Sequence, residues 1–156
     1  MAPPCPGNVE WPPMNGLVTL EIPAKAEYVV LCRLALAGML RDGGYSEEAV
    51  ADLKLALTEA CSNTIRHAYR DGDHEAASVH VSFDLRADRV VLVIRDHGAG
   101  FVDESGSKAE PLPDGSVVPS EGGMGIALIR AVVDEFLLEQ PVNGGTSLTL
   151  TKLRDA

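Results

Sequence analysis

Residues 121–129 read EGGMGIALI, three glycines and a methionine set directly before an apolar helical run. Glycine inside a helix costs about 1 kcal/mol relative to alanine, so three of them at the head of one need a reason. One reason is a plain loop-to-helix joint. The other is a main chain that must lie against an anion, with N–H groups at a helix start left open by missing Cβ atoms. Gly122, Gly123, Met124, Gly125 and Ile126 are then the candidate contacts. No Lys-Ser or Lys-Thr follows, so this is not a Walker A loop. Nor is it the G-x-G-x-x-G of a βαβ dinucleotide unit.

Two other stretches bear on the choice. In LTEACSNTIRHAY (57–69), Glu59, Asn63 and His67 fall at i, i+4 and i+8 and line up along one side of a helix. A carboxylate and an amide in that register suit a base and a metal ligand; a solvated polar face has the same pattern. In IRDHGAGF (94–101), an apolar strand runs into Asp96, with Gly98 and Gly100 beyond it. A carboxylate at a strand end, beside backbone that lets a flat ring approach, suits an amino-bearing base. An ordinary Asp-x-Gly turn reads the same way.

The whole chain sets limits on these readings. Its 156 residues suit one domain with its own core. Hydrophobic residues make up 46% and charged residues 23%, the balance of a soluble globular protein. No apolar run is long enough to cross a bilayer, and the N-terminal residues lack the pattern of a signal peptide. The net charge of −10 and a pI near 4.7 argue against direct nucleic-acid or anionic-membrane binding through a broad basic surface. A small anion needs local help instead. Cys5, Cys32 and Cys61 cannot all pair and form no C-x-x-C, which predicts reduced thiols in a cytoplasmic protein, the last two as small core residues.

Residues 1–16 carry five of the ten prolines and read as an extended tail. A strand is predicted over 17–23, then a helix over 25–41 with Tyr28, Leu31, Leu34, Ala35 and Gly38 inward. A second helix starts at an N-cap Ser46 and buries Val50, Leu53, Leu57, Ala60, Cys61, Thr64 and Ala68. Val79, Val81, Phe83 and Leu85 mark the next strand, and Arg86–Arg89 a hairpin. The strand after it buries Val91 and Val93 or the opposite face. Residues 101–121 lack periodicity and read as a functional lid or a disordered insert. A helix over 124–135 and strands over 136–140 and 146–152 complete the chain. The order β–α–α–β–β–lid–α–β–β predicts an α+β two-layer sandwich, with helices on one face of a mainly antiparallel, mixed sheet.

Taken in order, E-x-x-x-N on a helix, strand–D-x-G-x-G, a lid, G-G-x-G opening a helix and G-T-x-x-x-L on a last strand resemble the GHKL ATP-binding fold of gyrase, MutL and histidine kinases. PAKAEYVVLCRLALAG, DLKLALTEACSNTIRHAY, SEGGMGIALI and the terminal LTK are similar to the bacterial anti-sigma factor serine kinases of the RsbW and SpoIIAB kind. The resemblance spans residues 17–153.

That resemblance implies a protein that sequesters a sigma factor and uses Mg-ATP to phosphorylate a serine on a small anti-sigma factor antagonist, leaving ADP. By it, Asn63 holds Mg²⁺ and Glu59 is the general base for the serine hydroxyl. Asp96 accepts the adenine amino group in a pocket shaped by Gly98 and Gly100 and supported by Thr146. The backbone at Gly123 and Gly125 cradles phosphates; His67 lies near them or packs between helices, and Arg33 faces a partner or is a solvated or locally paired arginine. Self-association as a homodimer is also implied. One departure stands out: residues 109–121 hold no Lys or Arg, and Lys108 is the nearest basic lid residue. The alternative is a nucleotide-gated binding module of the same fold that moves no phosphate.

Overall fold

The computed structural model describes residues 16–41, 43–68, 77–97, 113–114, 124–141 and 144–155. Strand β1 (Gly16–Pro23) leads through a single 3₁₀ turn, Ala26–Tyr28, into α1 (Val29–Leu40) and α2 (Glu47–Ala68). Strands β2 (Ser78–Leu85) and β3 (Arg89–Asp96) follow, then α3 (Met124–Val132), β4 (Glu135–Glu139) and β5 (Thr146–Leu153). The strands form one sheet in the order β1-β2-β3-β5-β4. Every neighbouring pair is antiparallel, so the mixed character expected for the sheet is not found among the described residues.

The sheet takes its sidedness from strict alternation. Val79, Val81, Phe83 and Leu85 of β2 are buried, while His80, Ser82 and Asp84 between them are only half-buried on the other face. On β3 the buried set is Val90, Leu92 and Ile94, not Val91 and Val93. The Arg86 N–H donates to the Arg89 carbonyl at 2.9 Å and closes the hairpin between them. Against the inner face lie Cys32, Leu36 and Leu40 of α1, Leu53, Ala56, Leu57, Ala60 and Cys61 of α2, and Ile129 of α3. Each large side chain so buried stabilises the fold by about 1.5–3 kcal/mol relative to exposure. Cys32 and Cys61 are free, buried thiols hydrogen-bonded to each other. That bond and then burial push the Cys61 thiol well above its ordinary range.

Helix α2 is anchored where it begins. Ser46 Oγ accepts the Ala49 N–H at 3.1 Å, as an N-cap should. The Ser46 N–H in turn donates to Asp155 Oδ2 at 2.9 Å, and hydrogen bonds to Asp155 from the Ser46 backbone and then its side chain hold that carboxyl below its usual range. Beside it the Arg154 N–H donates to the Asp88 carbonyl at 2.8 Å, tying the segment after β5 to the β2–β3 hairpin.

Two expectations are corrected. Helix α1 buries Val29, Cys32, Leu36 and Leu40, whereas Tyr28, Leu31 and Leu34 are 36%, 48% and 64% exposed. Gly38 is exposed as well, and Ala35 is half-buried. Apolar residues surround this helix, so their spacing carries no phase, and the 3₁₀ turn before Val29 alters where the α-helical count begins. The helix expected over 124–135 ends at Val132. Asp134 is captured by β5 instead: its N–H donates to the Thr151 carbonyl at 2.9 Å, and its carboxylate accepts the Leu153 N–H at 2.7 Å. Sheet pairing wins over helix extension there.

Candidate nucleotide site

One end of the inner sheet face carries polar groups where a hydrophobic core would otherwise continue. Asp96, the last residue of β3, lies directly opposite Thr146, the first of β5. By alternation both point to the side of Leu92, Ile94, Leu148 and Leu150, beneath the helices. Asp96 is 3% exposed and Thr146 is 9%. A carboxylate is costly to bury, so this pair needs hydrogen-bond donors to face it. An exocyclic amino group on a planar base is one such donor.

Helix α2 brings a second set of groups toward α3. Glu59 and Asn63, four residues apart, share one side of α2 and are half-buried. Helix α3 begins against them. A methyl group on Gly125 would sit 2.9 Å from Glu59 Oε2, 3.1 Å from Asn63 Nδ2 and 3.4 Å from Asn63 Oδ1. The carboxylate, the amide and the head of a helix therefore meet at one point, from stretches more than sixty residues apart in sequence. Open N–H groups and the positive end of the helix dipole favour an anion there.

Among the described residues, no three His, Cys, Asp or Glu side chains gather into a cation cage. Magnesium does not ask for one, because it binds through one or two protein oxygens while phosphates and waters complete its shell. The Asn63 side-chain oxygen fits that use, and the adjoining helix start fits the phosphates.

The remaining expected positions divide. Ile126 is half-buried and packs on the core, leaving its backbone as the part able to meet a ligand. Met124 is the first residue of α3, and His67 falls in the last turn of α2. Arg33 is exposed on α1. Gly98, Gly100, Gly122 and Gly123, the side chains of His67 and Met124, and the lid apart from 113–114 lie outside the described residues. The contact of Gly125 with Glu59 and Asn63 was not legible beforehand. Its one signal was a glycine in the first turn of a helix, where alanine is the better helix former.

Known proteins resemble this chain in sequence and in fold. A family model described as a histidine kinase-like ATPase domain matches residues 22–152. The serine-protein kinase RsbW of Bacillus pumilus is 36% identical over 139 residues, spanning 87% of this chain and 85% of that protein. The serine-protein kinase RsbW of Bacillus subtilis is 31% identical over 138 residues, spanning 86% and 84%. A crystal structure of the RsbU and RsbW domains of a Mycobacterium tuberculosis protein shares the fold, with a TM-score of 0.59 at 22% identity. That match covers 89% of this chain and 33% of the other.

Proposed function

Since the chain belongs to the histidine kinase-like ATPase domain family, and within it to the RsbW serine-protein kinases, we propose that it is a cytoplasmic anti-sigma factor that phosphorylates a serine of its antagonist. In this reading it holds a sigma factor inactive. Transfer of phosphate to the antagonist keeps the antagonist from displacing the sigma factor.

The observation that carries the proposal is the meeting of Glu59 and Asn63 with the head of α3 at Gly125. Asp96 and Thr146 read the adenine edge, with Gly98 and Gly100 shaping the pocket. The N–H groups from Gly122 to Gly125 and His67 lie along the phosphates. Asn63 would hold a magnesium ion, and such an ion would supply neutralisation of the phosphate charge. Glu59 accepts the proton of the serine hydroxyl as its oxygen bonds to the γ-phosphorus, and ADP departs with the electrons of the broken P–O bond. A serine hydroxyl is a poor nucleophile, so positioning and charge neutralisation carry most of the rate. Arg33 supports a partner surface on α1, flanked by the exposed Val30, Leu31 and Leu34. Homodimer formation belongs to the same proposal.

The test is phosphate transfer from labelled ATP to the cognate antagonist. Glu59→Gln should slow transfer by about 10²–10⁴-fold, the usual worth of a general base, while ATP still binds. Transfer at the wild-type rate removes Glu59 from the mechanism. One observation favours a second reading: residues 109–121 contain no Lys or Arg to neutralise a transferring phosphoryl group. The protein would then be a nucleotide-gated binding module. Mass spectrometry of the antagonist after incubation with ATP separates the two, because only the kinase adds a phosphate.

A further inference from the structure

Gly144 and Gly145 both adopt left-handed backbone, with φ of +87° and +78°. Their surroundings differ completely. A Cβ on Gly144 would meet nothing within 4 Å. A Cβ on Gly145 would overlap the carbonyl oxygen of Asp96, and would lie 2.9 Å from the Asp96 carbonyl carbon and 3.0 Å from His97 Cα. These are backbone atoms, which cannot swing aside as a side-chain tip can. Asp96 itself is paired with Thr146, the residue after Gly145.

We propose that Gly145 is a positioning residue for base recognition: the bare Cα sets where the Asp96–His97 peptide runs, and so where the buried Asp96 carboxylate is presented. The inference rests on the reading of Asp96 as the adenine acceptor, and it adds what holds that acceptor in place. Any side chain at 145 pushes the end of β3 away from β5. The carboxylate then moves relative to Thr146, and hydrogen-bond geometry to a 6-amino purine is lost over a few tenths of an ångström. A purine with oxygen at position 6 makes no such bond, so its binding changes far less. Loss of purine discrimination is therefore the signature, and a merely structural role would weaken both nucleotides together.

The neighbouring glycine supplies the control. Asparagine tolerates left-handed φ better than other residues with a Cβ, so Gly144→Asn and Gly145→Asn carry similar backbone strain. Only the second places an atom against Asp96. Dissociation constants for ATP and inosine triphosphate, measured on wild type, both variants and Asp96→Asn, give a selectivity ratio independent of the active fraction. Wild type and Gly144→Asn should share one preference for ATP. Gly145→Asn should lose about tenfold or more of it, in the direction of Asp96→Asn, as expected when a hydrogen bond to a charged acceptor is spoiled. Should Gly145→Asn fail to fold, Gly145→Ala takes its place, with the ratio read on its folded fraction. A folded Gly145 variant with the wild-type ratio overturns the proposal while leaving Asp96 as the base reader. A wild-type protein that does not prefer ATP to inosine triphosphate overturns the Asp96 reading, and this inference with it.

Discussion

The two ends of the sheet are built on opposite plans. At the head of α3, and at the end where β3 stops and β5 starts, small residues let groups come together: Gly125 against Glu59 and Asn63, Gly145 against the Asp96 peptide. At the other end, exposed charges and caps tie segments down. Asp155 holds Ser46 and Arg154 holds Asp88, while the Arg89 side chain pairs with Asp88 at 2.9 Å. Substitution at Gly125 should alter catalysis with little change in stability, whereas at Gly145 the new atom meets backbone and should cost stability as well as base selectivity. Substitution at the capped, charged end should change stability and leave binding and catalysis alone. The difference lies in which atoms a new group would meet, rather than in how buried the position is.

Gly125→Ala tests this most severely. Its methyl group meets the tips of two flexible side chains, which can rotate away, and alanine improves the helix by about 1 kcal/mol. The melting temperature should hold or rise. Phosphate transfer should fall by about 100-fold, within the range a displaced general base produces. Unaltered transfer would mean that Glu59 and Asn63 are not held by this contact. Next in size is Ser46→Ala, which removes the N-cap of α2 and should cost about 1 kcal/mol in denaturant unfolding, with ATP affinity unchanged. A matching loss of affinity would show that the two ends do not act separately.

The smallest effect is expected at Asp155, whose carboxyl is held below its usual range by Ser46. A depressed carboxylate contributes stability above its unfolded pKa and loses it as pH falls through the folded value. Wild type should therefore melt slightly above Asp155→Asn at neutral pH, and the gap should close below about pH 4, the ordinary aspartate range. A gap independent of pH would mean that the Asp155 charge contributes nothing there.

Much of this division was readable in advance, and the exceptions share a cause. Strand β2, the hairpin that follows it and the cap at Ser46 follow from local pattern, because alternation, turn and capping chemistry are local. The i, i+4 register of Glu59 and Asn63 is local too. The inward face of α1 is not: with valine, leucine or alanine on every side, only packing against the sheet selects Val29, Cys32, Leu36 and Leu40. Strand β3 is apolar on both faces and has the same ambiguity. The end of α3 depends on Asp134 finding partners in β5. Likewise the G-T pair drew attention to Thr146, whereas the demand on Gly145 comes from a chain segment nearly fifty residues away.

The anchoring of α2 at Ser46 has a consequence for how this protein can change in length. Glu59 stands thirteen positions beyond that cap, and each residue of an α-helix turns by about 100° and rises about 1.5 Å. Inserting or deleting one residue between them would swing Glu59 and Asn63 about a quarter-turn away from the head of α3. Loop lengths elsewhere can drift, but this interval works like a geared shaft, whose tooth count cannot change without disengaging what it drives.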